Sequence, residues 1–369
     1  MQLNVAMRSA LSLAKKGLGL CYPNPSVGCI ILDKNNNLIG LGNTSKTGRP
    51  HAEEVALNNL VGNPKGGTAV VTLEPCAHKN SKNLSCVELI INAGISHVVI
   101  PILDPDKRTH GKGVELLEKS AIKVSIGIYK EEAFNINYGF YSRIKYNRPL
   151  VCLKVATSLD GKIATKKGES KWITGEVARL HGHSLRASHD VILVGINTVI
   201  KDNPKLDCRI KGLEKYSPVK VIVDSNLKIP LSSNLLINLK KYPVIIWTKK
   251  NKINSIKKNK LIKMGVSIVE LNKTNKKLIL LEGLNDLAKK GFNRVLVEGG
   301  SNISASLIDN NLIDKVYLYR NGIFIGADGL SSIGKYKFRN LSLAKRFQLR
   351  DTRILDGDVL EEWKLINRS

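Results

Sequence analysis

Three residues far apart in the chain, His51, Cys76 and Cys86, constrain the fold most, because they have a shared chemistry only if folding brings them together. Neutral imidazole and thiolate are the donors zinc prefers. Three of them leave the fourth tetrahedral position open for water, the catalytic rather than the structural pattern. On a continuous helix, residues two apart point about 200° away from each other. His51 and Glu53 therefore share a site only if His51 sits at a helix start, which Pro50 favours. Cys76 follows the apolar run Thr68 to Leu73, read as a strand, and so lies just past a strand end. Ser85 and Glu88 form a capping box ahead of an apolar run, which puts Cys86 in the first turn of a helix. A helix N-terminus stabilises thiolate. The fold must bring one strand end and two helix starts to a single point.

A His-x-Glu followed by Pro-Cys and a later Cys is the signature of zinc deaminases, in which the Glu moves protons and binds no metal. Here Glu53 is the candidate catalytic residue, with His51, Cys76 and Cys86 as candidate ligands. The tight form of the signature is Cys-x-x-Cys, whereas nine residues separate the two cysteines here. His78 is a rival third ligand, ranked behind Cys86. Taken singly, each of these residues reads as an ordinary core or surface position. Taken together they read as zinc chemistry.

A chain of 369 residues predicts about two domains. No apolar run approaches the roughly 20 residues that cross a bilayer, so a membrane-spanning protein is excluded. Met1 to Leu20 carries Arg8, Lys15 and Lys16 and no acid, as a transit peptide would. Leu3, Ala6, Met7, Ala10, Leu11 and Ala14 nevertheless keep the helical period, and the stretch reads as a first helix. Six cysteines in a chain this long do not make a disulfide framework, and two are claimed by the metal, so a reducing, cytoplasmic setting is expected. Basic side chains outnumber acidic ones 58 to 31, a net charge of +27 that would suit an anionic partner. The densest patch, Lys249 to Lys263, has no interleaved aromatics and reads as a solvated helix face, not a nucleic-acid groove. Phosphorylated small substrates would still benefit from the field.

The first half alternates elements: a helix to about Lys16, a Pro23-Asn24-Pro25 loop, a strand from Val27 to Asp33 and a turn at Lys34 to Asn37. Past the metal elements come a helix ending near Ala93-Gly94, a strand from His97 to Ile102, a helix from Val114 to Ser120, a strand from Ile122 to Ile128, and a helix towards Tyr146. Asn147-Arg148-Pro149 is the expected boundary, since the residue before Pro disfavours helix. Beyond it, strands at Val151 to Ala156, Val191 to Val194, Val219 to Val223, Val244 to Trp247, Val266 to Leu271 and Arg294 to Val297 alternate with helical segments, a doubly wound α/β pattern.

Pro23-Asn24-Pro25-Ser26-Val27-Gly28, His51-Ala52-Glu53, Thr72-Leu73-Glu74-Pro75-Cys76-Ala77-His78 and Asp104-Pro105 together resemble the bacterial bifunctional riboflavin-biosynthesis deaminase–reductases, and the likeness covers essentially the whole chain. It implies two domains: residues 1–147, a cytidine-deaminase-like α/β/α layer domain, and residues 148–369, a dihydrofolate-reductase-like doubly wound α/β domain. The first would use one zinc per chain to deaminate 2,5-diamino-6-ribosylamino-4(3H)-pyrimidinone 5′-phosphate. The second would reduce the ribosyl group to ribityl with NADPH. A homodimer or larger assembly is also implied. On the substrate of the first reaction the likeness places Asn24, which also reads as a turn former between two prolines, and Lys82 for the phosphate. Two departures stand out. Thr44 occupies a position usually held by His, and the tract from Asn80 to Ser85 is one residue longer than usual.

In the second half the resemblance places Ala156, Trp172, Thr198, Asp202, Ser225 and the run Gly300, Ser301, Asn302, Ile303, Ser304, Ala305, Ser306 around NADPH. Lys154, Ser170, Arg186, Leu206, Arg209 and Glu298 fall around the substrate. Glu298-Gly299-Gly300 follows a strand and opens a helix, so bare amides and the helix dipole suit a phosphate, although a plain tight turn is the default reading. Arg186 and Arg209 suit a ribose phosphate because guanidinium presents a bidentate fork. Two other classes of function compete: a nucleic-acid-editing deaminase with an accessory domain, and a zinc-stabilised chain with one inactive half.

Overall fold

The structure is a computed structural model that describes residues 1–78, 84–250, 255–274, 277–335 and 340–366. The chain divides into two compact units, Met1–Arg148 and Pro149–Ser369.

Among the described residues the first unit runs α1 (Leu3–Lys16), β1 (Gly28–Leu32), β2 (Leu38–Asn43), α2 (Ala52–Asn58), β3 (Thr68–Val71), α3 (Cys86–Asn92), β4 (His97–Ile100), α4 (Lys112–Lys119), β5 (Lys123–Ile126) and α5 (Lys130–Tyr146). Its sheet has the order β2-β1-β3-β4-β5. The β1 strand pairs antiparallel with β2 and β3, and β3, β4 and β5 run parallel.

Alternation along the strands sends side chains to two cores. Cys29, Ile31, Ala69, Val71, Val98 and Ile100 pack with Ala52 and Ala56 of α2, Val87 and Ile90 of α3 and Leu117 of α4. Ile30, Leu32, Val70 and Val99 pack on the opposite face with Ala6, Met7, Ala10 and Ala14 of α1 and Ala133 and Ile136 of α5. A sheet covered on both faces needs near-continuous apolar strands, which is why every residue of β1 and β3 is buried. Strand β2 was not expected from the sequence. Two of its three buried positions are Gly40 and Gly42, and Leu38 and Leu41 are exposed, so it lacks the buried apolar run that marks β1. Gly42 lets β2 touch α2: a Cβ there would lie 2.4 Å from the carbonyl oxygen of Ala52.

The second unit runs β6 (Leu150–Thr157), β7 (Lys162–Ala164), α6 (Glu176–Ala187), β8 (Val191–Gly195), α7 (Ile196–Asp202), β9 (Val219–Val223), β10 (Val244–Lys249), α8 (Ser255–Met264), β11 (Ser267–Leu271), β12 (Lys273–Thr274), β13 (Lys277–Leu278), α9 (Leu280–Lys289), β14 (Arg294–Val297), α10 (Ser301–Asp309), β15 (Lys315–Arg320), β16 (Leu330–Ser331), β17 (Phe347–Leu355) and β18 (Asp358–Leu365). The main sheet has the order β11-β10-β9-β8-β14-β6-β15-β18-β17. From β11 to β15 it is parallel, and an antiparallel hairpin, β17 and β18, completes the β15 edge. The chain winds outward from β8 to β11 and then returns to insert β14 between β8 and β6.

The doubly wound reading therefore describes the parallel part of this sheet. The hairpin was missed because β17 is exposed along almost its whole length and carries no buried-strand pattern. Helix α8 buries only Leu261, which agrees with a solvated lysine-rich face, while residues 251–254 of that patch lie outside the described residues.

Candidate functional site

In the first unit His51 is the N-cap of α2, with extended backbone, and Glu53 lies in the first turn that it opens. Cys76 follows the end of β3 and Cys86 opens α3. The capping box forms in both directions: the Ser85 hydroxyl accepts from the Glu88 amide at 3.2 Å, and the Glu88 carboxylate accepts from the Ser85 amide at 2.9 Å. The ligand atoms of His51, Cys76 and Cys86 all lie within 4.8 Å of one another. His51 Nδ1 is 3.3 Å from Cys86 Sγ and 3.6 Å from Cys76 Sγ. Tetrahedral zinc with ordinary Zn–N and Zn–S lengths requires N···S of about 3.6 Å, so the donor set fits. His78 is not in this cluster; its Nδ1 lies 3.2 Å from Thr109 Oγ1.

The two thiols are shifted in opposite directions. Cys86 and then His51 lower the Cys76 thiol by hydrogen bonding, whereas Cys86 is pushed up by its hydrogen bond with Cys76 and by burial. A divalent cation bound between them would favour the thiolate form of both. Glu53 is 4% exposed, and burial holds its carboxyl above the usual range against the opposing pull of His51.

The wall facing Glu53 is set by the Pro23–Val27 loop. Asn137 of α5 accepts from the Ser26 amide and donates to the Ser26 carbonyl, both at 2.9 Å. Thr44 Oγ1 accepts from the Val27 amide at 2.9 Å and donates to the Pro25 carbonyl at 3.1 Å. The unusual Thr44 is thus a clip for the loop that carries Asn24. Asn24 Nδ2 donates to the Gly48 carbonyl at 2.7 Å and lies 3.3 Å from His51 Nε2. Pro23, Asn24, Pro25, Val27 and Thr44 line, together with His51, Glu53 and Cys76, a cavity of about 250 Å³. Sequence reasoning missed several members of its lining: Arg49, Asp104, Asp106, Arg108, Phe140 and Arg143. The Asp104-Pro105 motif was the only signal for any of them. Burial, then the charges of Asp106 and Glu74, raises Asp104 to about 7 despite its hydrogen bond with the Asp106 amide. Lys82 lies outside the described residues.

In the second unit the carboxyl ends of the parallel strands gather most of the expected residues. Glu298 follows β14, Ala156 lies near the end of β6, Thr198 is in α7 directly after β8, and Ser225 follows β9. Ligands of open α/β sheets bind outside such strand ends, where the winding reverses. Gly300 caps α10, and a Cβ there would meet nothing within 4 Å. The 300–306 run does not act as one surface, because Ser304 and Ala305 are buried whereas Gly300, Ser301 and Asn302 open the helix. Helical periodicity makes that division unavoidable. Leu206 is likewise buried, packed into the core that holds Val199 and Leu227.

The Arg186 guanidinium, expected at the substrate, is engaged within the chain. Its Nε and Nη2 each donate to Glu298 at 2.8 Å, and Nη1 donates to the Asp207 carbonyl at 3.0 Å. Burial alone would raise Glu298, but Arg186 and then Lys154 hold it down at about 2. Burial and the neighbouring Arg186 lower the Lys154 ammonium in turn. Arg209 is 62% exposed, with Asp207 at 3.7 Å. Trp172 is 68% exposed, and the Arg179 guanidinium stacks on it at 4.6 Å. Ser170 and Asp202 are exposed. His181, whose Nδ1 lies 2.6 Å from Tyr319 Oη, and His183 beside Arg186 were not expected here. They sit on a helix whose period reads equally well as packing.

A deaminase-type donor set in one α/β unit and a parallel sheet in the other, with expected ligand-binding residues at its strand ends, are the marks of a two-site enzyme. Residues 1–102 match the family model for the cytidine and deoxycytidylate deaminase zinc-binding region, and residues 149–360 match that for the RibD C-terminal domain. The riboflavin biosynthesis protein RibD of Aquifex aeolicus (strain VF5) is 40% identical over 354 residues, 96% of this chain and 96% of that protein. Among solved structures, Acinetobacter baumannii RibD (form 1) superposes with a TM-score of 0.87 at 34% identity, covering 99% of each chain. A diaminohydroxyphosphoribosylaminopyrimidine deaminase/5-amino-6-(5-phosphoribosylamino)uracil reductase of Thermotoga maritima gives a TM-score of 0.85 at 32% identity, again over 99% of each chain. The chain belongs to the RibD family of riboflavin-biosynthesis proteins.

Proposed function

We infer that this chain is a bifunctional enzyme of riboflavin biosynthesis. It deaminates 2,5-diamino-6-ribosylamino-4(3H)-pyrimidinone 5′-phosphate with zinc and then reduces the ribosyl group with NADPH to give 5-amino-6-ribitylaminouracil 5′-phosphate. The observation that carries this reading is the donor cluster of His51, Cys76 and Cys86 beside a cavity that His51, Cys76 and Glu53 line, in a chain whose remainder matches the RibD C-terminal domain. We assign the first reaction to residues 1–147 and the second to residues 148–369.

His51, Cys76 and Cys86 would hold the zinc, which would supply an activated water for attack on the ring carbon that bears the amine. Glu53 takes a proton from that water and delivers it towards the ring nitrogen and the departing amine, which leaves as ammonia. Asn24 orients the pyrimidine. Lys82 and Arg49 offer cations to the phosphate.

In the second reaction NADPH supplies the hydride, and the protein positions it. Ala156, Trp172, Thr198, Asp202, Ser225 and the amides of Gly300, Ser301 and Asn302 hold the dinucleotide, with the remainder of α10's first turn supporting them. Lys154, Ser170 and Glu298 face the sugar, Arg186 orients Glu298, and Arg209 takes the phosphate. The substrates are small phosphorylated pyrimidines. Among the described residues no helix is long and apolar enough to cross a membrane. The six cysteines are buried, we propose that the chain works in a reducing cytoplasm, and we propose that it is a homo-oligomer.

Incubation with the diaminopyrimidine phosphate tests the assignment. Ammonia should appear without NADPH, and the ribityl product only with it. Ammonia release without any NADPH oxidation would leave a single active half, and no ammonia release would overturn the deaminase reading.

A further inference from the structure

We propose that Glu74 is a positioning residue of the deaminase, its carboxylate setting the width of the cavity between the Cys76 strand end and the 104–114 segment. The proposal rests on the deaminase reading above. Glu74 lies two residues before Cys76 and is 3% exposed. Both of its oxygens are occupied. Oε2 accepts from the amides of Asp104 and Gly111, each at 3.0 Å, and Oε1 accepts from those of Gly113 at 2.9 Å and Val114 at 3.3 Å. Its own amide donates to the Ile102 carbonyl at 3.1 Å. A single side chain thus gathers both ends of the segment and the first turn of α4.

That segment is a wall of the cavity, carrying Asp104, Asp106 and Arg108 on its lining. It also meets the stretch just after Cys76, through Thr109 Oγ1 at 3.2 Å from His78 Nδ1. The approach is as close as backbone permits, since a Cβ on Gly113 would lie 2.3 Å from the Pro75 carbonyl oxygen. A buried carboxylate with only amide partners is costly to desolvate, and an apolar residue with the same packing would avoid that cost. Four convergent amides are instead what a carboxylate uniquely satisfies, because it accepts at both oxygens and donates at neither. Replacing one oxygen by NH2 sets a donor against two donors. The distance from Glu53 and the ligands to the substrate-facing wall therefore depends on this charge. Substrate binding should feel its loss more than the chemical step, because neither Glu53 nor any ligand is altered.

The test is Glu74→Gln in the full chain, with zinc content, deamination kinetics and NADPH-dependent reduction measured together. We expect zinc to stay at the wild-type stoichiometry and reduction to be unchanged, while KM for the diaminopyrimidine phosphate rises by about tenfold or more and kcat changes less than KM. If Glu74→Gln does not accumulate as folded protein, Thr109→Val carries the test. It keeps the shape and removes only the hydroxyl that joins the wall to His78, so it should raise KM with the melting temperature nearly unchanged. A loss of melting temperature with KM unaltered in both variants would make Glu74 a purely structural residue and overturn the proposal. Wild-type protein that fails to release ammonia would instead overturn the deaminase reading itself.

Discussion

At the scale of single residues, the two units use opposite devices for their buried carboxylates. Glu53 is raised by burial and is thereby equipped to carry a proton. Glu298 is held ionised by Arg186. Glu53→Gln should abolish ammonia release while leaving zinc content and NADPH oxidation intact, because Gln cannot shuttle a proton. Cys86→Ser should remove zinc and deamination together, as measured by metal analysis; full retention of both would move the third-ligand role to His78.

Glu298 also gives the second unit a pH dependence. Its folded pKa of about 2 lies below the ordinary 4.5, so its contribution is present above pH 4.5 and is lost as pH falls towards 2. That difference corresponds to about 3 kcal/mol. Acid titration of Glu298→Gln, followed by circular dichroism, should show a flatter stability profile in that window than wild type, although a less stable protein at neutral pH because Arg186 is left unpaired.

At the scale of elements, the metal centre is a property of how three element ends meet. The α3 capping box was legible in Ser85 and Glu88, since a cap is a local hydrogen-bonding pattern over three residues. The contact of β2 with α2 was not legible, because it depends on a glycine whose purpose appears only when a helix lies against it. Gly42→Ala would put a methyl group 2.4 Å from the Ala52 carbonyl oxygen and 2.6 Å from the Ala56 amide nitrogen. The helix that His51 caps should shift, at a cost of about 1–3 kcal/mol. Thermal unfolding and zinc affinity measured on this variant should fall together. A loss of stability with unchanged zinc affinity would show that α2 relaxes without moving His51.

At the scale of the whole molecule, each unit has its own core, one around Ile31 and Val71 and another around Ile222 and Ile246. A fragment beginning at Pro149 should therefore fold and oxidise NADPH with the deaminated ribosylaminopyrimidine phosphate as substrate. In that fragment Arg209→Ala should weaken the substrate by roughly 1.5–3 kcal/mol, about 10- to 150-fold, and leave NADPH affinity nearly unchanged, as ligand titration would show. Loss of NADPH binding with substrate binding kept would mean that the two subsites had been exchanged. The sequence by itself determined the donor types, the element starts that carry them, and the strands buried on both faces. Each of these is written in local periodicity, capping or donor chemistry. Only the tertiary structure decided that Thr44 clips the Asn24 loop, that Arg186 pairs with Glu298, and that Glu74 gathers the 104–114 segment. Those pairings join residues 17 to 112 positions apart, and no local pattern specifies which distant backbone or side chain completes a hydrogen bond.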